Sequence, residues 1–192
     1  MMIKLPYHKL SATKILDIWG DSTSLKAITV GGLSESERLT LFNKFIDEGG
    51  MRFSGSLFID ESNTDFYILW DGGEAIGILN VYTTTRLSKH ERSVYIEPKA
   101  VFILEKYRGE GLGYDLCTTV ANYLSKNLIS RIAKSNLEKG DGINFLLFAD
   151  YESEEGESFC ENFYAQFTQH GPLLCALNLM GIDIHASLDA GY

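Results

Sequence analysis

One stretch constrains this chain more than any other: AVFILEKYRGEGLGYDLCTTVANYL, residues 100–124. An apolar, β-branched run leads into a turn with glycines at 109, 111 and 113, and an amphipathic pattern begins at once behind it. Leu112, Leu116, Val120, Tyr123 and Leu124 recur at helical spacing, so the segment reads as strand, glycine turn, helix. Glycine lets backbone approach a ligand without a Cβ in the way. The unbonded N–H groups at a helix start, at the positive end of its dipole, make an anion site. Backbone from Arg108 to Gly113 is therefore a candidate phosphate cradle. The plain alternative is a left-handed turn that only joins a strand to a helix.

Two familiar phosphate motifs fail here. With Gly109 and Gly111 as the first two glycines of G-x-G-x-x-G, the third position is Tyr114, so a dinucleotide fingerprint is absent. No G-x-x-x-x-G-K-[ST] run exists either.

The remaining chain reads as alternating helix and strand. Ser34-Glu35-Ser36-Glu37 has capping-box form, Leu39, Phe42, Phe45 and Ile46 follow as one apolar face, and Gly49-Gly50 marks a stop. A shorter helix is expected over Thr13 to Trp19. Phe66 to Trp70, Asp71-Gly72-Gly73 and Ala75 to Tyr82 spell a β-hairpin. Lys99 to Leu104 reads as a strand covered on both faces, with Pro98 marking its start, a bend or a bulge. Ile143 to Ala149 is a compact buried strand and Ser158 to Gln169 a helix; Leu173 to Leu188 fits two strands or a helix and a strand. Whether the helix after the glycine turn runs on through Ile129 and Ile132 or breaks is open. The order is that of a mixed α/β domain, and 192 residues without repeats or linkers make one domain the simplest organisation.

Composition narrows the function classes. A formal net charge of -9 argues against a nucleic-acid binder, which needs a basic face to displace counterions. Cys117, Cys160 and Cys175 are odd in number and widely spaced, and the four histidines show no H-E-x-x-H. No disulfide framework and no metal site are expected. MMIKLPYHKL lacks a secretory apolar stretch and no run reaches spanning length, so the expectation is a cytoplasmic protein that is not embedded in a membrane. The acidic run Glu152 to Glu157 reads as a solvated loop or as an attractor of a basic substrate.

Arg108-x-x-Gly111-x-Gly113, with the apolar strand and the Tyr107-Arg108-Gly109 lead-in, resembles the R/Q-x-x-G-x-G/A signature of the GNAT (Gcn5-related N-acetyltransferase) superfamily, from about Ala75 to Gly171. The resemblance implies an α/β fold of the α+β mixed kind: a central, largely antiparallel sheet with splayed central strands, flanked by helices. It implies one acyltransferase domain over 1–192, with a helical part over about 1–60 and a cofactor-binding core over about 65–171. It implies acetyl-CoA as co-substrate, an amine on a small molecule or peptide as acceptor, and a homodimer as a family-level expectation.

Residue by residue, the resemblance has Ile103, Leu104 and Glu105 pair with the pantetheine arm, with a backbone N–H near Ile103 polarising the acetyl carbonyl. The amides of Arg108, Gly109, Glu110, Gly111, Leu112 and Gly113 hold the pyrophosphate. An amine must lose a proton before it attacks, and the departing thiolate needs one. Tyr164, in a Phe-Tyr pair like that of the family's late helix, is the candidate donor; its plain alternative is an ordinary half-buried aromatic. Glu97, eleven residues before Arg108, is the candidate base; its plain alternative is a solvated carboxylate at a strand end. Glu91, Tyr95 and a water-mediated route are the other bases. The competing function is a non-catalytic acyl-CoA-binding or regulatory module of the same fold, and a third is an unrelated phosphate-ligand protein.

Overall fold

The computed structural model describes residues 15–17, 25–29, 35–47, 64–71, 74–150 and 153–191. Its elements are β1 (Ile15–Asp17), β2 (Leu25–Thr29), α1 (Glu35–Asp47), β3 (Thr64–Asp71), β4 (Glu74–Leu87), β5 (Arg92–Ile103), a 3-10 turn (Glu105–Tyr107), α2 (Leu112–Ala133), β6 (Gly142–Asp150), α3 (Glu154–Thr168), α4 (Pro172–Met180) and β7 (Asp183–Gly191). They form two compact units. One holds the described residues up to Val81 with Lys99–Leu116; the other holds Tyr82–Pro98 with the described residues from Cys117 onward.

In the first unit the strand order is β1-β2-β3-β4-β5. β1 runs antiparallel to β2 (Ile15↔Ile28) and β2 antiparallel to β3 (Leu25↔Asp71). The helix expected over Thr13 to Trp19 is not found, because Ile15–Asp17 is an edge strand. Three residues paired to a neighbouring strand carry too little pattern to announce themselves. The continuous burial expected of Lys99 to Leu104 belongs instead to β3, where Phe66, Tyr67, Ile68, Leu69 and Trp70 are all buried. β3 lies inside the order with a partner on each side, whereas Val101, Phe102 and Ile103 of β5 are half-buried.

α1 was legible from its repeat, and its buried face centres on Leu41 and Phe45, four residues apart. Phe45 meets the ring of Phe102 edge-on at 6.1 Å, a contact that favours both rings beyond the area they bury. Ile46, expected on that face, is instead exposed. The capping box at Ser34 and the Gly49-Gly50 stop lie outside the described residues.

In the second unit β6 pairs in parallel with β5 over Ser93↔Asn144 to Ile96↔Leu147, and β7 pairs in parallel with β6 from Gly142↔Asp183 to Asp150↔Gly191. β5 begins at Arg92, earlier than the sequence suggested, and carries Pro98 inside it. Pro98 lies two residues beyond the last pair with β6. β6 alternates rather than being covered twice: Ile143, Phe145, Leu147 and Ala149 are buried and the residues between them are not.

α2 is one unbroken helix through Ala133, and in this unit it buries Leu124, Leu128 and Ile132. α3 starts earlier than Ser158. Ser153 caps it by accepting from Gly156 N–H at 3.1 Å, and Glu154, Glu155 and Glu157 occupy its first turn. From Glu154 on the acidic run is therefore helix rather than loop, with Glu154, Glu155 and Glu157 complementing the dipole. Phe159, Phe163 and Phe167 repeat every four residues along α3, with successive rings 5.8 and 5.2 Å apart. Phe145 of β6 reaches Phe167 at 5.2 Å. The C-terminal segment resolves as a helix and a strand, with Pro172 at the start of α4 and Gly181 ending it in left-handed geometry. Among the described residues, no helix is long and apolar enough to cross a membrane.

Candidate active site

The glycine turn belongs entirely to the first unit. β5 ends at Ile103, the 3-10 turn carries the chain through Glu105–Tyr107, and Gly109 (φ 81°) and Gly111 (φ 78°) take left-handed conformations before α2 begins. Among the described residues, a Cβ on either would meet nothing within 4 Å. Glycine is needed there for backbone angle rather than for want of space. Gly113 has no such angle, and a Cβ on it would rest 3.8 Å from Ile103 Cδ1.

The first intrahelical bond of α2 runs from Asp115 N–H to the Gly111 carbonyl at 3.1 Å. The amides of Leu112, Gly113 and Tyr114 therefore precede the helix ladder and face outward from the helix start. Tyr114 was not among the expected cradle residues. Its amide joins because a helix beginning at Leu112 leaves its first three N–H groups ahead of the ladder, a count the sequence supports once that start is fixed. Arg108, which the sequence offers as a residue that holds the loop or meets a phosphate, is bonded within the turn. Its N–H is engaged by the Glu105 carbonyl at 3.1 Å, its Nε donates to the Ile103 carbonyl at 2.8 Å, and its guanidinium lies 5.1 Å from the Phe102 ring centre. Arg108 holds the loop to the strand end.

The same accounting separates Ile103 from Leu104. Leu104 N–H donates to the Ile76 carbonyl at 2.9 Å, so that amide belongs to the β4–β5 ladder. Backbone groups alternate along a strand, which puts the Ile103 N–H on the opposite edge of β5. Glu105 has left the strand for the 3-10 turn. Of the three residues expected along a pantetheine arm, Ile103 is the one with its amide on the edge of β5 away from β4. Two acids flank the turn: Glu110 is exposed, and Asp115 is half-buried, with burial lifting its carboxyl above the ordinary range.

Glu97 and Tyr164 belong to the second unit. Glu97 is only 8% exposed, directly beyond the last β5–β6 pair, and accepts a hydrogen bond from the Tyr95 hydroxyl at 3.0 Å. It is not the solvated strand-end acid of the plain alternative. Burial pushes the Tyr95 phenol well above its usual range, reinforced by the bond to Glu97 and by the charges of Glu97, Tyr82 and Asp189. Tyr95 therefore stays a donor and is a poor base. Glu91 is exposed in the hairpin loop and paired with Arg86 at 2.8 Å. Tyr164 is half-buried on α3. A cavity of about 480 Å3 in this unit, lined by Leu87, Lys89, Arg92, Asn136, Glu138 and Asp141 among others, contains none of the expected site residues.

The profile of the Acetyltransferase (GNAT) family matches residues 33–139, more than half of the chain, including the whole strand–turn–helix segment. The chain belongs to the GNAT family. Among solved structures, this GNAT chain resembles the xEco2 acetyltransferase domain bound to a CoA conjugate, with 12% identity, TM-score 0.47, and 79% of this chain and 91% of that one covered. An aminoglycoside acetyltransferase from an uncultured soil metagenomic sample, in complex with trehalose, gives 12% identity and TM-score 0.44, covering 78% and 90%. A ribosomal-protein-alanine N-acetyltransferase from Brucella melitensis biovar Abortus 2308 gives 12% identity and TM-score 0.42, covering 71% and 88%. No curated protein matches the sequence. As a GNAT enzyme, the chain is an acyl-CoA-dependent N-acetyltransferase.

Proposed function

We propose that this GNAT chain transfers the acetyl group of acetyl-CoA to a primary amine of a small molecule or peptide, working as a single acyltransferase domain. The supporting observation is the turn itself: three helix-start amides directly after two left-handed glycines. A pyrophosphate suits that arrangement, because each amide offers a donor aligned with the helix dipole. Gly109 to Gly113 and Tyr114 hold it, Arg108 keeps the loop closed on Ile103, and the Ile103 amide polarises the acetyl carbonyl.

The chemistry is direct transfer. Glu97 takes a proton from the acceptor ammonium, the freed amine attacks the thioester carbon, the C–S bond breaks as Tyr164 protonates the departing thiolate, and the second nitrogen proton returns to the Tyr164 phenolate as the amide forms. The burial of Glu97 and the donor held on it by Tyr95 support its role as base. Tyr164 rests on the resemblance alone. A cytoplasmic location and a homodimer accompany this reading; fractionation and sedimentation test them.

The experiment is release of CoA thiol from acetyl-CoA across a panel of amines, among them amino acids, polyamines, aminoglycosides and peptide N-termini. Turnover that needs both acetyl-CoA and one amine class supports the proposal. Tight acetyl-CoA binding without turnover on any amine would favour the non-catalytic module instead.

A further inference from the structure

Glu74 opens β4 and receives side chains from two other elements of the first unit. Lys44 Nζ of α1 lies 3.2 Å from its Oε1 and also donates to the Ala75 carbonyl at 2.7 Å. Lys106 Nζ lies 3.3 Å from Oε1 and 3.2 Å from Oε2, and the Tyr107 hydroxyl donates to Oε2 at 3.1 Å. The Lys106 ammonium sits 4.8 Å from the centre of the Tyr107 ring. Burial alone would lift the Glu74 carboxyl, but the hydrogen bonds from Lys44, Lys106 and Tyr107 and the charge of Lys44 outweigh it and hold it below the usual range. The carboxylate is ionised at neutral pH.

Lys106 and Tyr107 are the last residues of the 3-10 turn, immediately ahead of Arg108 and the left-handed glycines. Apart from Arg108, they are where the side-chain bonds around this lead-in converge on one atom pair. Such a network adds little to global stability, because the side chains of Glu74 and Lys106 are 36% and 57% exposed and solvent screens pairs of that kind.

We propose that Glu74 is a positioning residue for the acyl donor: through Tyr107 and Lys106 it fixes the angle at which the chain enters the phosphate turn, and so the aim of the helix-start amides. The role rests on the acetyl-CoA reading above. Two electrostatic effects oppose each other here, and their sign is informative. As a bare charge, Glu74 is a liability beside a pyrophosphate, since it neutralises lysines that would attract the ligand. Removing it should then tighten binding. As a positioning group its removal should weaken binding, because the amides lose their common aim.

The test measures acetyl-CoA affinity and steady-state kinetics for wild type, Glu74→Gln, Tyr107→Phe and the double variant. We expect each single change to weaken acetyl-CoA binding about tenfold, in line with loss of a hydrogen bond to a charged group. kcat at saturating acetyl-CoA should stay within roughly twofold, since neither change removes a group assigned to proton transfer or to the acetyl carbonyl. The double variant should be no weaker than the worse single one, because both cut the same contact. Tyr107→Phe alters no charge and removes one hydroxyl, so it stays informative should Glu74→Gln fold poorly. Tighter binding by Glu74→Gln, or unchanged binding by Tyr107→Phe, overturns the role while leaving the acetyltransferase reading standing. Wild type that binds no acetyl-CoA overturns both.

Discussion

Tyr95 and Glu97 are joined through their side chains, with the phenol donating to Glu97 Oε2 at 3.0 Å on one face of β5, at the end of its pairing with β6. Residues two apart on a strand share a face, so the tyrosine is carried to the carboxylate by the pleat itself. Glu97→Gln should lower kcat/KM by about 10²–10⁴, the usual range for a general base. Tyr95→Phe should lower it by about tenfold, the loss of one charge-assisted hydrogen bond. Because burial and then the Glu97 bond raise the Tyr95 phenol, it stays protonated through neutral and mildly alkaline pH. The basic limb of a pH–rate profile should therefore keep its position in Tyr95→Phe. A basic limb that vanishes with Tyr95 would make Tyr95, rather than Tyr164, the proton donor to the thiolate.

The glycines of the turn divide into two kinds. Gly111→Ala forces a side chain into φ 78° and should destabilise by about 1 kcal/mol. Gly113→Ala meets ordinary contact with Ile103 Cδ1 at 3.8 Å, and should gain up to about 1 kcal/mol from alanine's helix propensity. Urea denaturation of the two variants checks this; equal destabilisation would contradict the difference in backbone role.

Asp115 places a carboxyl in the first turn of α2, close behind the amides assigned to the pyrophosphate. Its pKa is raised by burial, so it loses its charge at a higher pH than an exposed aspartate as the solution is acidified. Asp115→Asn should tighten acetyl-CoA binding several-fold at neutral pH, roughly the effect of one partly screened charge. The gap to wild type should close as pH falls through the titration of Asp115. Titration calorimetry at several pH values measures it, and a gap that widens with acidification would place Asp115 in another role.

How much of this was legible in the sequence follows from how local each feature is. The strand, glycine turn and helix lie within 25 consecutive residues, 100–124, and turn chemistry with helical spacing declares all three. α1 and the β3–β4 hairpin were readable for the same reason, whereas Ile15–Asp17 is a strand only because β2 pairs with it. The engagement of the Leu104 amide by Ile76 and of the Arg108 amide by Glu105 depends on ladder phase, which residue types do not encode. Glu74 reaches Lys106 across 32 residues, and no spacing rule joins an acid in a hairpin to a lysine in a later turn.

Two cysteines are protected and one is not. Burial pushes the Cys117 and Cys160 thiols up to about 12, with the charge of Cys160 adding to the shift at Cys117, while Cys175 is exposed. Thiolate is the reactive form, so iodoacetamide at pH 8 under native conditions should label Cys175 first, as read by peptide mass spectrometry. The folded thiols titrate above their unfolded counterparts. Their contribution to stability is therefore complete below about pH 8.5, and it is lost as pH rises toward their folded values. Cys117→Ala with Cys160→Ala should soften the alkaline loss of stability, and rapid native labelling of Cys117 would contradict their burial.

The central claim, that the acyl donor sits on the helix-start amides, is tested most directly by titrating acetyl-CoA into wild type and Gly113→Glu by calorimetry. Glu at this position suits the backbone and the positive end of α2, so the variant should fold at least as well as wild type. Its carboxylate, however, stands beside the amides that would meet the pyrophosphate. Binding by wild type that falls by at least about tenfold in the folded variant is the result predicted; equal binding by both would put acetyl-CoA elsewhere and contradict the account.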